Sequence, residues 1–88
     1  MKAVYKKRFL TDLNNLPAQV KEKIQEIVFY QIPKAEDIRE IRGIRKLSGY
    51  QEFYRLRYSD YRIGISVKKD RMIFFRVMHR KDIYKYFP

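Results

Sequence analysis

Residues 52–78 read EFYRLRYSDYRIGISVKKDRMIFFRVM, and this stretch leaves the chain few folds to choose from. Three runs, 52–58, 61–67 and 72–78, alternate in polarity and are rich in β-branched and aromatic residues. Only SD at 59–60 and KKDR at 68–71 separate them. Connections this short join antiparallel neighbours, so the runs form a three-stranded meander. The preceding sequence has a different period. Phe9, Leu10, Leu13 and Leu16 recur at helical spacing, which predicts a short helix over 8–15. Asn14 and Asn15 break it, and Pro17 suits the first turn of a second helix. That helix carries Val20, Ile24, Ile27 and Val28 on one side and should end before Pro33.

AVYKK at 3–7 reads as a short first strand with Val4 inward. In 33–50, Ile38, Ile41, Ile44 and Leu47 come at steps of three, and Gly43 and Gly49 punctuate them; this reads as a partly packed connection. Two helices can cover only one face of such a sheet. The expectation is an α+β fold: two N-terminal helices packed on one face of a small mainly antiparallel sheet, in a single domain over 1–88.

Composition narrows the function. There is no cysteine, hence no disulfide framework, no thiolate nucleophile and no zinc knuckle. No histidine–carboxylate cluster offers a metal site, and no glycine-rich loop offers a cofactor cradle, so neither is expected. No apolar run is long enough for a signal peptide or a membrane span, and a cytoplasmic location is the default. The chain carries 21 Lys and Arg against 10 Asp and Glu, a net +11, of which 13 basic and 4 acidic residues (+9) lie in 39–81. Charge of one sign concentrated on strands points to a polyanionic partner. A membrane surface fits poorly, because the basic residues do not form an amphipathic helix.

Strand alternation sharpens this. Tyr54, Leu56, Tyr58, Tyr61, Ile63, Ile65, Val67, Ile73, Phe75, Val77 and His79 are expected under the helices. The opposite face then carries Arg55, Arg57, Arg62, Arg76 and Arg80, with Phe53, Phe74 and Met78 among them. The nearest acids in sequence, Glu52, Asp60 and Asp82, are too few to pair all five arginines. Guanidinium groups clamp phosphates and rings stack on bases, so the face suits single-stranded nucleic acid.

YRLRYSDYRIGI at 54–65, followed after a hairpin by FFRVMHRKDIY, resembles the toxins of the RelE/ParE superfamily of toxin–antitoxin systems. RKLSGYQEFYRLR resembles the family's approach to the second strand, and the short helix, LP and longer helix agree. The resemblance spans nearly the whole chain. It implies a RelE-like fold and, in the RelE branch, an endonuclease that cuts messenger RNA in the ribosomal decoding site and is restrained by a cognate antitoxin. The ParE branch shares the fold and poisons DNA gyrase. Carried over, Arg55, Arg62 and Arg80 match basic site positions and Tyr84 matches the C-terminal tyrosine, with Tyr86 a rival. The chain departs from the pattern at Phe53, where the family has a basic residue. It departs again at Arg55, where the family has lysine; arginine does not give up a proton at neutral pH.

A single histidine cannot build a two-histidine ribonuclease site. What remains is attack by the RNA's own 2′-hydroxyl on the neighbouring phosphate, which needs in-line positioning and stabilisation of developing charge. Arg62 and Arg80 are the candidates to hold the phosphate, with Arg55 assisting and Tyr84 or His79 moving the proton. His79 shares parity with Val77, so a satisfied histidine at a strand end is an equal alternative. Tyr84 and Tyr86 have the alternative of packing the C-terminal segment. Arg57, Arg76, Lys81, Lys68 and Lys69, with Phe53 and Phe74 as rings, are expected to contact RNA. A +11 toxin calls for an acidic, initially disordered antitoxin segment, besides ribosome and messenger RNA. A gyrase inhibitor and a non-catalytic nucleic-acid-binding domain are the other readings.

Overall fold

The computed structural model describes all 88 residues. The strand β1 (Lys2–Tyr5) is followed by helices α1 (Lys7–Asn14) and α2 (Ala18–Glu26). A π-helical turn at Ile27–Gln31 and a last helical turn, α3 (Ile32–Lys34), continue α2. After a 3₁₀ turn at Ile38–Glu40 come β2 (Ile44–Lys46), β3 (Phe53–Tyr58), β4 (Tyr61–Lys68), β5 (Arg71–His79) and a short helix, α4 (Ile83–Tyr86). The sheet order is β1-β5-β4-β3-β2, with β1 parallel to β5 and every other pair antiparallel. This is the expected α+β arrangement of helices on one face of a mainly antiparallel sheet. No helix is long and apolar enough to cross a membrane.

The core lies between α1–α3 and the sheet. Phe9 and Leu13 on α1, and Ile24, Val28 and Ile32 along the second helical stretch, meet Leu56, Ile63, Ile65, Met72, Phe74 and Val77. Spacing of four residues puts each helical set on one stripe. Burial of each such side chain contributes about 1.5–3 kcal/mol.

Four local departures from the sequence reading have physical causes. The second helix runs through Pro33. Proline has no N–H to give, and in a π-type turn the acceptor left waiting five residues back is the Val28 carbonyl; the Tyr5 hydroxyl donates to it instead. In β1 it is Ala3 and Tyr5 that pack on the core, so Val4 points away. The connection at 33–50 contains β2, whose Arg45 and Lys46 pair with Arg55 and Tyr54. Its entry is fixed by Gly43 at φ +81°, where a Cβ would sit 3.0 Å from the Arg57 carbonyl oxygen.

The fourth departure matters most for the open face. The β4–β5 register passes from Gly64↔Arg76 to Ile65↔Phe74, which leaves Phe75 as the extra residue of a bulge. Parity therefore reverses within β5. Met72 and Phe74 are buried among the helices, as Val77 is on the other side of the bulge. Ile73 and Phe75 belong to the open face. Phe74, expected to be an RNA-stacking ring, is 0% exposed and is a core residue.

Candidate active site

The face away from α1 and α2 is built from two rows of directly opposed residues. Arg45 faces Arg55, which faces Gly64, which faces Arg76. Alongside, Arg57 faces Arg62, which faces Met78. Directly opposite side chains start about 4.5–5.5 Å apart at Cβ, and like charges there destabilise a sheet. Arg45–Arg55 and Arg57–Arg62 are two such pairs side by side. None of the chain's four ion pairs relieves them: these are Arg39–Asp37, Arg76–Asp12, Arg80–Asp60 and Lys85–Asp82. Glu52 takes no arginine.

Arg62 is the centre of this group. Its Nη1 donates to the carbonyls of Ser59 (2.8 Å) and Tyr61 (2.9 Å), so the hairpin turn at Ser59–Asp60 holds the guanidinium. Ser59 adopts φ +52° to close that turn. Burial lowers the proton affinity of Arg62, and the charges of Arg55, Arg57 and Arg80 lower it further; Tyr84 acts in the opposite sense. In the sheet Arg57 lies directly opposite Arg62, and Arg55 stands on the same strand and face as Arg57. Arg80 is tied to the same turn, its N–H donating to the Asp60 carbonyl at 2.7 Å and its Nε standing 3.7 Å from the Asp60 carboxylate. Both members of that pair are more than half exposed, so the interaction is weak and exchangeable.

The helix α4 closes one side of the site. Ile83 and Phe87 turn in and are buried, whereas Tyr84 and Tyr86 are 55% and 59% exposed. Phe87 lies directly over Gly64, where an added Cβ would come within 2.4 Å of the ring. Phe53 and Phe75 stand beside Phe87, with ring centroids at 5.5 and 5.8 Å. The face the two N-terminal helices leave free is thus partly covered by the C-terminal segment. The packing is done by Ile83 and Phe87, and the tyrosines are left exposed.

Chemically, the arrangement is a cluster of guanidinium groups (Arg45, Arg55, Arg57, Arg62 and Arg80), of which only Arg80 has an acidic partner, with an exposed tyrosine on the neighbouring helix. It can bind a phosphate, stabilise charge developing on it and exchange a proton nearby. No group of three or more His, Asp or Glu side chains could hold a metal ion.

The family described as ParE toxin of type II toxin-antitoxin system, parDE, matches residues 3–84. A relative, toxin RelE3 of Methanocaldococcus jannaschii, is 38% identical over 89 residues, covering the whole of both chains. The chain belongs to the RelE/ParE toxin family. A solved RelB–RelE antitoxin–toxin complex from Methanococcus jannaschii contains a similar chain: TM-score 0.77, 37% identity, 97% of this chain and 99% of that one covered. The RelBE2 toxin–antitoxin complex of Mycobacterium tuberculosis shares the fold at TM-score 0.72 and 18% identity, over 90% of this chain and 96% of that one. The chain is a RelE-like toxin of the toxin–antitoxin class.

Within this RelE-like toxin, Arg55, Arg57 and Arg62 share the open face, Arg80 is tied to the turn that holds Arg62, and Tyr84 stands exposed on α4. Other candidates stand elsewhere. His79 lies on the helix side of the sheet, opposite Tyr61 and edge-on to its ring, and its Nδ1 accepts the Lys81 N–H at 3.1 Å. Its strand parity turns it away from the arginines. Lys81 is exposed beside it. Lys68 and Lys69 sit at the far end of β4, six residues or about 20 Å from Arg62, and form a separate basic corner with Lys2 and Arg71. Arg76 does not offer a free charge to RNA, because Asp12 neutralises it. Phe53 is on the open face but half-buried against Tyr50, Phe75 and Phe87, which leaves little ring for a base. Tyr86 lies over Arg76, with the guanidinium carbon 5.3 Å from the ring centroid, whereas Tyr84 is exposed. The reading of the sequence missed Arg45, whose edge strand is only three residues long and shows no period.

Proposed function

We propose that this RelE-like toxin cleaves messenger RNA on the ribosome and that an acidic antitoxin neutralises it. The observation that carries the reading is Arg62: a guanidinium held by its own turn, directly opposite Arg57, with no acid of the chain paired to it. A scissile phosphate supplies the negative charge that this guanidinium lacks. The RNA's 2′-oxygen attacks the adjacent phosphorus and the bond to the 5′-oxygen breaks. A cyclic phosphate and a free 5′-hydroxyl result. Arg62 and Arg80 hold the phosphate and take up its growing charge, Arg55 assists, and Tyr84 moves the proton. The chain has no complete acid–base pair, which fits an enzyme that acts only where ribosome and message complete the geometry. Its substrate places it in the cytoplasm. The similar chain in the RelB–RelE complex supports an antitoxin partner, and +11 requires that partner's contact segment to be acidic.

The match to the ParE family keeps a second reading, the gyrase inhibition that the resemblance implies for that branch, and one experiment separates them. Primer extension on a reporter message in cell-free translation, with and without ribosomes, compares the wild type with Arg62→Ala, Arg80→Ala and Tyr84→Phe. Ribosome-dependent cuts lost in the arginine variants are expected. Uncut message throughout, with inhibition of gyrase supercoiling, would establish the second reading.

A further inference from the structure

Asp12 lies on α1, on the helix side of the sheet, yet its carboxylate reaches the open face. Oδ2 accepts from Arg76 Nε at 2.7 Å and Oδ1 from Arg76 Nη2 at 3.0 Å; Oδ2 also accepts the Val77 N–H at 3.2 Å. The backbone bond has a simple origin. The strand β1 ends at Tyr5↔Phe74, so beyond that point β5 has no strand neighbour on this edge, and the Asp12 carboxylate serves the bare edge. The two side chains are 15% and 19% exposed, far less than the other three ion pairs. A planar guanidinium gripped along one edge leaves its faces free, and Tyr86 of α4 lies over one of them.

That contact matters because α4 has four residues and no side-chain cap. A helix so short does not hold itself. Its place is set by Ile83 and Phe87 beneath it and by Tyr86 on Arg76. Tyr84 makes no hydrogen bond and is 55% exposed, so its position relative to Arg62 follows from how α4 is held.

We infer that Asp12 is a positioning residue for Tyr84: through Arg76 and Tyr86 it fixes α4, and with it the place of the Tyr84 side chain. The effect on cleavage rests on the function proposed above; the effect on Tyr84 does not.

Two readouts test this on the full chain. The first is NMR of the tyrosine rings and core methyl groups in Asp12→Asn, Arg76→Lys, Tyr86→Ala and Tyr86→Phe. Tyr84 should shift in the first three, with Ile24 and Ile63 methyl signals unmoved, and keep its wild-type position in Tyr86→Phe, which retains the ring. The second is single-turnover cleavage on programmed ribosomes. The first three variants should lose about tenfold in the rate at saturating toxin, with the half-saturating concentration within about twofold of wild type. Tyr84 signals unchanged in Asp12→Asn and Arg76→Lys, with the core intact, would overturn the inference. An equal loss in Tyr86→Phe would also overturn it, since the hydroxyl and not the ring would then be the active part. If the wild type cuts no message, the nuclease reading falls, and the Tyr84 signals alone decide the role of Asp12.

Discussion

Arg62 spends both hydrogens of Nη1 on the Ser59 and Tyr61 carbonyls, which leaves Nε and Nη2 unengaged along one edge. That edge is the fork with which arginine grips a phosphate bidentately. The turn thus orients the fork without consuming it, and lysine, with no fork, should not replace it. Arg62→Lys and Arg62→Ala should each lower single-turnover cleavage by about 10²–10³, the loss typical of one oriented charge-stabilising donor. Stability should move the other way for a neighbour. Arg57 is directly across from Arg62 and has no acidic partner. Arg57→Glu converts repulsion into an ion pair and should stabilise the fold by roughly 0.2–1 kcal/mol in urea denaturation. The same carboxylate occupies the Arg62 fork, so cleavage should fall. A variant that is more stable and fully active would show that this face does not bind the phosphate.

At the level of elements, the bulge in β5 decides which aromatic ring holds the core. Phe74→Ala should cost about 3–5 kcal/mol, whereas Phe75→Ala, on the other face, should cost clearly less. Equal costs by chemical denaturation would place the register wrongly. The meander was legible from sequence because Leu56, Ile63 and Ile65 repeat with period two across fixed short turns. The bulge was not, because exchanging Phe74 for Phe75 leaves the apolar pattern of an FF pair unchanged. The strand β2 and helix α4 are too short to show a period, and the Asp12–Arg76 pair spans 64 residues, beyond any local pattern. Arg55, Arg57 and Arg62 were legible on one face because they sit on the two strands whose register the two-residue turn fixes. The helical run through Pro33 depends on a tertiary donor. Tyr5→Phe removes that donor from the Val28 carbonyl and should cost about 1 kcal/mol at neutral pH. Burial holds the Tyr5 hydroxyl above its ordinary pKa of 10.0, so the folded state retains the proton more firmly than the unfolded one. Its contribution is complete below pH 10 and fades as pH rises through the raised value. Stability measured up the alkaline range should therefore fall less steeply in Tyr5→Phe than in wild type.

Taken whole, the molecule carries +11 on a Cα radius of gyration of 11.8 Å, but only part of that charge is free to act. Arg76 is balanced by Asp12, and Lys68 and Lys69 stand at the far end of the sheet. On the function proposed, the charge available to one strand of RNA is the cluster of Arg45, Arg55, Arg57 and Arg62, with Arg80 released from its loose contact with Asp60. Each phosphate neutralised on a single strand contributes about −0.7 to the slope of log affinity against log salt. Four or five contacts give a slope of about −3 for a short unstructured oligonucleotide. Arg55→Ala should make that slope shallower by about 0.7. Arg76→Ala removes the same formal charge but should leave the slope unchanged, because its guanidinium has no free partner to give. Its cost appears in the cleavage rate, through the loosened α4. If fluorescence titration over a range of salt finds the two variants alike, binding depends on total charge and not on the cluster. If they differ as expected, location on the sheet, and not the number of cations, sets how this toxin meets RNA.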